Sequence, residues 1–185
     1  MMRCGITLAK LNRLALSACL MLSACLVLSA CVETPAPINF QRISVTVGPC
    51  NGVCPEYSLS VDENGAVAFV GKRNVVVQGG RGATLSAKNF AALKAAILNA
   101  NIRALQSDYT SDANCPVKNL GQAELHWQIE ITGISKDIRQ NLGCVSAPDA
   151  NGTSARLPPQ LDTLFEVLLA TTASRAWITA PVSTP

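Results

Sequence analysis

Residues 50–57, with the sequence Cys-Asn-Gly-Val-Cys-Pro-Glu-Tyr, constrain the fold most, because two closely spaced cysteines stand directly before an alternating segment. Apolar side chains then recur at every second position, at Tyr57, Leu59 and Val61. This is the period of a half-buried β-strand. The sequence therefore predicts a small domain that is built outward from residues 50–57.

The next turn can be predicted from the phase of the apolar residues. Residues 63–65 (Glu-Asn-Gly) form a turn pattern, after which the alternation resumes at Val67. A three-residue loop pairs Val61 with Val67 and places the glycine at the left-handed third loop position. The same register pairs Leu59 with Phe69. A two-residue loop would put Val67 on the wrong face of the sheet.

Helical and strand patterns follow one another along the rest of the chain. Ser86 is a predicted N-cap, and Pro159 suits the first turn of a helix over residues 160–174. Further strands are predicted over residues 38–48, 75–77 (ending at the glycine-rich residues 79–82), 124–131 and 137–142. This order predicts an α+β fold, a small antiparallel sheet of hairpins with two helices packed on one face, stapled by disulfides.

The N-terminus has the pattern of an export leader. Three basic residues, Arg3, Lys10 and Arg13, precede residues 14–32, which carry no charge. A run of this length is also long enough for a retained transmembrane helix. Because the basic residues stay cytoplasmic in either case, the domain is predicted to be exported.

The motif Leu-Ser-Ala-Cys occurs three times in this leader and ends at Cys19, Cys25 and Cys31. Each copy resembles the lipobox of bacterial lipoprotein signal peptides, in which the cysteine is lipidated and becomes the first residue. Cys31 is the predicted site, because a sufficient apolar stretch precedes it and a polar, proline-containing stretch follows. The predicted organisation is a signal peptide (1–30), a tether (31–40), one α+β domain (41–180) and a tail (181–185).

This resemblance implies a location. It implies a diacylglyceryl thioether on Cys31 and an acylated amine, with palmitate among the chains, and several acyl chains anchor a protein stably. Val32 rather than Asp follows the cysteine, which implies sorting to the outer membrane, facing the periplasm or the cell surface. The membrane is thus a predicted partner.

Charge argues against nucleic acid as a partner. The chain has 15 basic and 12 acidic residues, and three of the bases precede the apolar leader, so 15 − 3 = 12 bases balance 12 acids in the remainder. A neutral remainder has no basic patch to neutralise phosphates. The single histidine, His126, stands in no recognisable nucleophile motif, so no catalytic residue, metal or cofactor is predicted.

Four cysteines lie outside the leader: Cys50, Cys54, Cys115 and Cys144. In an exported domain they predict two disulfides, with three pairings open. Cys50 is close enough to bridge to Cys54, and a bridge from Cys115 to Cys144 would tie the start of the second hairpin to its end. A four-thiolate zinc site is the alternative, although the second pair is not close in sequence. A redox site at Cys50 and Cys54 is a further alternative, although a strand rather than a helix follows them.

Residues 50–57 resemble the signature Cys-x-Gly-x-Cys-Pro-x-Tyr of an uncharacterised bacterial domain family, found mostly in predicted lipoproteins and secreted proteins. Gly52, Pro55 and Tyr57 are the signature residues besides the cysteines. The resemblance supports the fold and export but implies no active site. We therefore expect a non-enzymatic binding or accessory domain on an envelope lipoprotein, with an envelope protein as partner. A periplasmic thiol-disulfide enzyme is the alternative, and a small-ligand carrier is a third hypothesis.

Overall fold

The structure, a computed structural model, describes residues 39–179. The predicted signal peptide, Cys31 and the tail 181–185 lie outside the described residues. The strands are β1 (Phe40–Val47), β2 (Glu56–Asp62), β3 (Ala66–Arg73), β4 (Gly79–Thr84), β5 (Asp108–Tyr109), β6 (Val117–Lys118), β7 (Glu124–Ile131), β8 (Ile134–Asn141) and β9 (Cys144–Val145). The helices are α1 (Ala87–Asn99), α2 (Pro159–Thr171) and α3 (Arg175–Ile178), with a 3-10 turn at Ile102–Ala104.

Seven strands form one sheet in the order β4-β3-β2-β1-β7-β8-β5. All neighbours pair antiparallel except β5, which pairs parallel with β8 over two residues. Strands β6 and β9 form a separate two-stranded antiparallel ladder. The predicted α+β class and the antiparallel sheet are confirmed.

Alternation along the strands gives the sheet two different faces. The inner face buries apolar side chains such as Ile43, Val45, Leu59, Val61, Trp127 and Ile129. Helices α1 and α2 add their apolar stripes to the same core, with Leu93, Ile97, Leu161, Leu164 and Leu168. The outer face is polar because the intervening residues are Ser44, Thr46, Ser58, Ser60, His126 and Gln128.

The predicted local geometry of the first hairpin and of the first helix is confirmed. Val61 pairs with Val67, and Leu59 pairs with Phe69, as a three-residue loop requires. The glycine of that loop has φ +76°, which is the left-handed region. Ser86 caps α1 by accepting a hydrogen bond from the backbone N–H of Asn89 at 3.2 Å.

The predicted strand over residues 75–77 is wrong, and so is the prediction that residues 79–82 end it. Residues 74–77 form a bend that folds back over Gly71, where a Cβ would lie 1.9 Å from the Val77 carbonyl oxygen. The Val77 N–H donates to the Trp177 carbonyl at 2.9 Å instead of joining the sheet. The glycine-rich segment itself becomes β4, because β3 supplies a partner ladder and strand propensity is overridden by tertiary pairing.

Candidate functional site

Two loops meet where β1 ends. Residues 48–55 connect β1 to β2, and residues 119–123 lead into β7. The Asn51 N–H donates to the Gly121 carbonyl at 2.8 Å. Gly121 has φ +81°, and a Cβ there would lie 2.9 Å from the Asn51 Cβ, so this close approach requires glycine. We call these two loops, with the disulfides beside them, the cysteine-rich end.

The first disulfide shapes one of these loops. Cys50 and Cys54 are bonded, with their Cα atoms 5.8 Å apart, and both are half-buried. Asn74, in the bend after β3, donates from its side-chain amide to the Cys54 carbonyl at 2.9 Å. The loop is therefore fixed by its own bridge and by hydrogen bonds to two different parts of the chain.

The second disulfide is buried beneath the other loop. Cys115 and Cys144 are bonded, with Cα atoms 5.3 Å apart, and are only 2% and 0% exposed. Beside them, Gly143 accepts from the Asn119 N–H at 2.9 Å, and a Cβ on Gly143 would lie 2.1 Å from the Asn119 carbonyl oxygen. The bridge joins the segment before β7 to the strand that follows β8.

The structure thus selects one of the three pairings that the sequence left open. With these two disulfides formed, none of the four cysteines carries a free thiolate that could bind zinc. No group of three or more histidine, cysteine, aspartate or glutamate side chains suited to a metal occurs within residues 39–179.

The remaining signature residues divide between surface and core. Gly52 is exposed beside the first disulfide, and Pro55 is half-buried at the start of β2. Tyr57 is 3% exposed and its ring centroid lies 5.4 Å from that of Phe69, which lies 5.5 Å from Trp177. Burial raises the pKa of Tyr57 well above its usual range. The signature tyrosine therefore belongs to an aromatic row in the core.

Two aliphatic side chains are strongly exposed at the cysteine-rich end, and sequence reasoning missed both. Val53 is 87% exposed inside the first disulfide loop, and Leu120 is 84% exposed in the neighbouring loop. Other residues of the same two loops, with Glu124 of β7, line an open depression of about 480 Å³. The sequence signal that could have indicated their exposure is an apolar residue next to a turn-forming glycine: Gly52 precedes Val53, and Gly121 follows Leu120. Such braced, exposed apolar groups suit contact with another protein.

His126 lies on the outer face of the sheet, as its position in the alternation predicts. Its Nε2 is 2.7 Å from the Asp137 Oδ1, and both side chains are largely exposed. Within residues 39–179 the only hydrogen-bond partner of the His126 side chain is Asp137. The pair has the composition of a general base and its orienting carboxylate, but it lies on an open, flat surface.

A buried polar network between the inner face of the sheet and α2 was also missed by sequence reasoning. Gln140 is fully buried, accepts from the Trp127 indole N–H at 3.1 Å and donates to Asp162 at 3.2 Å. Burial raises the pKa of Asp162, and nearby Arg156 opposes this shift. The network satisfies core polar groups and orients α2 on the sheet, which is a structural role. At the surface, hydrogen bonds from Thr110 lower the pKa of Asp108.

Fold and site together define a small disulfide-stapled α+β domain with a braced, partly apolar loop surface. Residues 41–164 match the model of a family described as a domain of unknown function (DUF6438), and the chain belongs to this family. No curated protein matched the chain. Within residues 39–179, no helix is long and apolar enough to cross a membrane.

Proposed function

We propose that this chain is an envelope lipoprotein, anchored by lipid on Cys31 and facing the periplasm from the outer membrane, whose domain binds another envelope protein without catalysing a reaction. The location rests on the lipobox-like leader and the polar tether that follows it. The binding role rests on one structural observation, the exposure of Val53 and Leu120 on two braced loops.

The direction of β1 supports this role. The tether joins the domain at Phe40, and β1 runs from there to Val47, next to the cysteine-rich end. Eight residues of strand span about 26 Å. The loops that carry Val53 and Leu120 therefore lie near the opposite end of β1 from Phe40.

The setting of Cys50 and Cys54 favours a scaffold over a thiol-disulfide enzyme. Redox enzymes activate an attacking thiol at a helix N-terminus, which lowers the thiol pKa. Here the strand β2 follows, and the loop is held by Gly121 and Asn74. A role in shaping the loop accounts for the arrangement without a redox cycle.

The anchoring step can be tested with matched variants of the repeated motif. C31S should abolish metabolic labelling by a fatty-acid analogue and release the protein from the membrane fraction. C25S, which changes the preceding copy of the same motif, should leave both unchanged. Labelling that survives C31S and disappears in C25S would contradict the assignment of Cys31.

The binding step can be tested by crosslinking in the native host. A photoreactive amino acid at Val53 should capture a specific envelope protein, and L120D should reduce this capture about tenfold because it puts a charge in an apolar contact. The matched control is the same amino acid at Leu98, which is 45% exposed on α1. Equal capture from Leu98, or no specific capture from Val53, would contradict the proposal.

A further inference from the structure

Strand β4 forms one edge of the seven-stranded sheet, and its outer side has no partner among residues 39–179. All six residues, Gly-Gly-Arg-Gly-Ala-Thr, are exposed, and three of them are glycines. Natural sheet edges are usually blocked by short strands, prolines, bulges or charges, because open backbone groups accept another strand. In β4 the only one of these blocking residues is the charged Arg81.

The hydrogen-bond phase shows which backbone groups face outward. The Leu85 N–H donates to the Gly65 carbonyl at 2.9 Å, which fixes the alternation of the ladder between β3 and β4. Because the direction alternates along a strand, Ala83 and Arg81, which are two and four residues before Leu85, also direct their N–H and C=O groups to β3. The groups of Gly80, Gly82 and Thr84 therefore point away from the sheet, and the two glycines present them without a side chain.

The two strands at this edge, β3 and β4, carry only positive charges. The segments Ala66–Arg73 and Gly79–Thr84 contain Lys72, Arg73 and Arg81 and no acidic residue. Arg73 pairs with Glu56 of β2 at 2.6 Å, whereas Arg81 has no ion-pair partner within residues 39–179. In an added strand, the residue opposite Arg81 would belong to a pair without backbone hydrogen bonds, where facing side chains approach most closely.

We propose that β4 binds an extended acidic segment of a partner protein by strand addition, with a carboxylate of that segment opposite Arg81. The outward groups of Gly80, Gly82 and Thr84 supply the backbone hydrogen bonds, and Arg81 selects the charge. A second copy of this chain fits less well. In the two antiparallel registers with most overlap, the two copies of Arg81 lie directly opposite or diagonal to each other, where like charges repel.

The inference goes beyond the proposed function, since it depends on neither the lipid anchor nor the cysteine-rich end. The test uses the exported full chain in detergent and a random peptide library displayed on phage. Enriched peptides should carry aspartate or glutamate at a fixed position of an alternating pattern. In the R81E variant the same position should select lysine or arginine, and acidic peptides should bind about tenfold more weakly.

Backbone recognition is tested by a matched pair of variants. G82P removes an N–H that faces outward and leaves the β3 ladder intact, and its Cβ would lie 3.6 Å from the nearest atom, an ordinary contact. We expect G82P to weaken binding at least tenfold and G82A to stay within twofold. Amide hydrogen exchange of the backbone N–H groups of Gly82 and Thr84, measured by NMR on the wild-type chain, should slow when an enriched acidic peptide is added.

Four results would overturn the proposal: no enrichment of any peptide, enrichment without an acidic preference, equal binding by G82P, or dimers that form through β4. If G82P does not fold, the R81E selection and the exchange measurement on the wild-type chain still decide the question.

Discussion

The two disulfides of this domain do different work. Cys50–Cys54 closes a separation of four residues, is half-buried and lies in a loop that hydrogen bonds already hold. Cys115–Cys144 spans 29 residues, is buried and ties the irregular segment before β7 to β9, the short strand that follows β8. We infer that Cys50–Cys54 shapes an exposed loop, whereas Cys115–Cys144 keeps a long segment folded.

The segment held by the second bridge has little regular structure of its own. Between the 3-10 turn and β7 the only strands are β5 and β6, with two residues each. Side chains contribute as well, since the Asn114 amide donates to the Asp108 carbonyl at 2.9 Å. Because few backbone pairs hold this segment, we expect it to depend on its covalent link.

The largest expected effect is therefore on the long bridge. In the chain-entropy account, replacing Cys115 and Cys144 together by alanine lowers the free energy of unfolding by about 3.5 kcal/mol. Urea denaturation followed by circular dichroism measures this. A loss equal to or smaller than that of the short bridge would contradict the comparison.

Replacing Cys50 and Cys54 together by alanine should lower the free energy of unfolding by about 2 kcal/mol, because the closed loop is short. A second effect should be weaker crosslinking from position 53, since the loop that presents Val53 loses one of the three contacts that hold it. Crosslinking from position 53 reports the second effect. If crosslinking is unchanged while the stability falls, this bridge does not shape the binding surface.

Gly121→Ala tests the contact between the two loops. The substitution forces a side chain into the left-handed region and against the Asn51 Cβ, and such strain costs about 1–2 kcal/mol. Gly133→Ala is the control, because this glycine also has a positive φ (+68°) but a Cβ there meets nothing within 4 Å. We expect only Gly121→Ala to reduce crosslinking from position 53.

The smallest effect concerns pH and comes from Asp162 in the first turn of α2, which faces Gln140 of the sheet. Because burial raises the pKa of Asp162, the folded chain binds a proton more readily than the unfolded chain. The contribution of Asp162 to the free energy of unfolding therefore falls as the pH rises from the ordinary value of 3.8 to the raised pKa, and is constant above it.

Asp162→Asn should flatten this dependence, because asparagine cannot ionise and its side-chain oxygen still accepts from Gln140. Denaturation at several pH values measures it, with the exposed Asp112→Asn as control. A pH dependence that Asp162→Asn leaves unchanged would show that another group is responsible.

The sequence predicts best where one local pattern decides the structure. The phase of Val61 and Val67 sets the hairpin register, and Ser86 marks the start of α1, because neighbouring residues alone fix these features. The strand prediction for residues 75–77 failed because their conformation depends on contacts with Gly71 and with Trp177, which lies about a hundred residues later.

The site shows the same limit. The four cysteines and the signature tyrosine could be selected from spacing alone, but their pairing and burial required the fold. Val53 and Leu120 lie on two loops that are distant in sequence and that the hydrogen bond from Asn51 to Gly121 joins. Tertiary contacts of this kind leave no periodic trace in the chain.

Under the proposed function, the cysteines of the domain are a scaffold displayed from a lipid anchor. Intact mass spectrometry of the chain recovered from the envelope, alkylated before and after reduction, tests it most directly. We expect a mature chain that begins at an acylated Cys31, takes up no alkyl group before reduction and takes up four after it. A pair of reactive thiols at Cys50 and Cys54 in the native protein, or a mature chain without lipid, would contradict it.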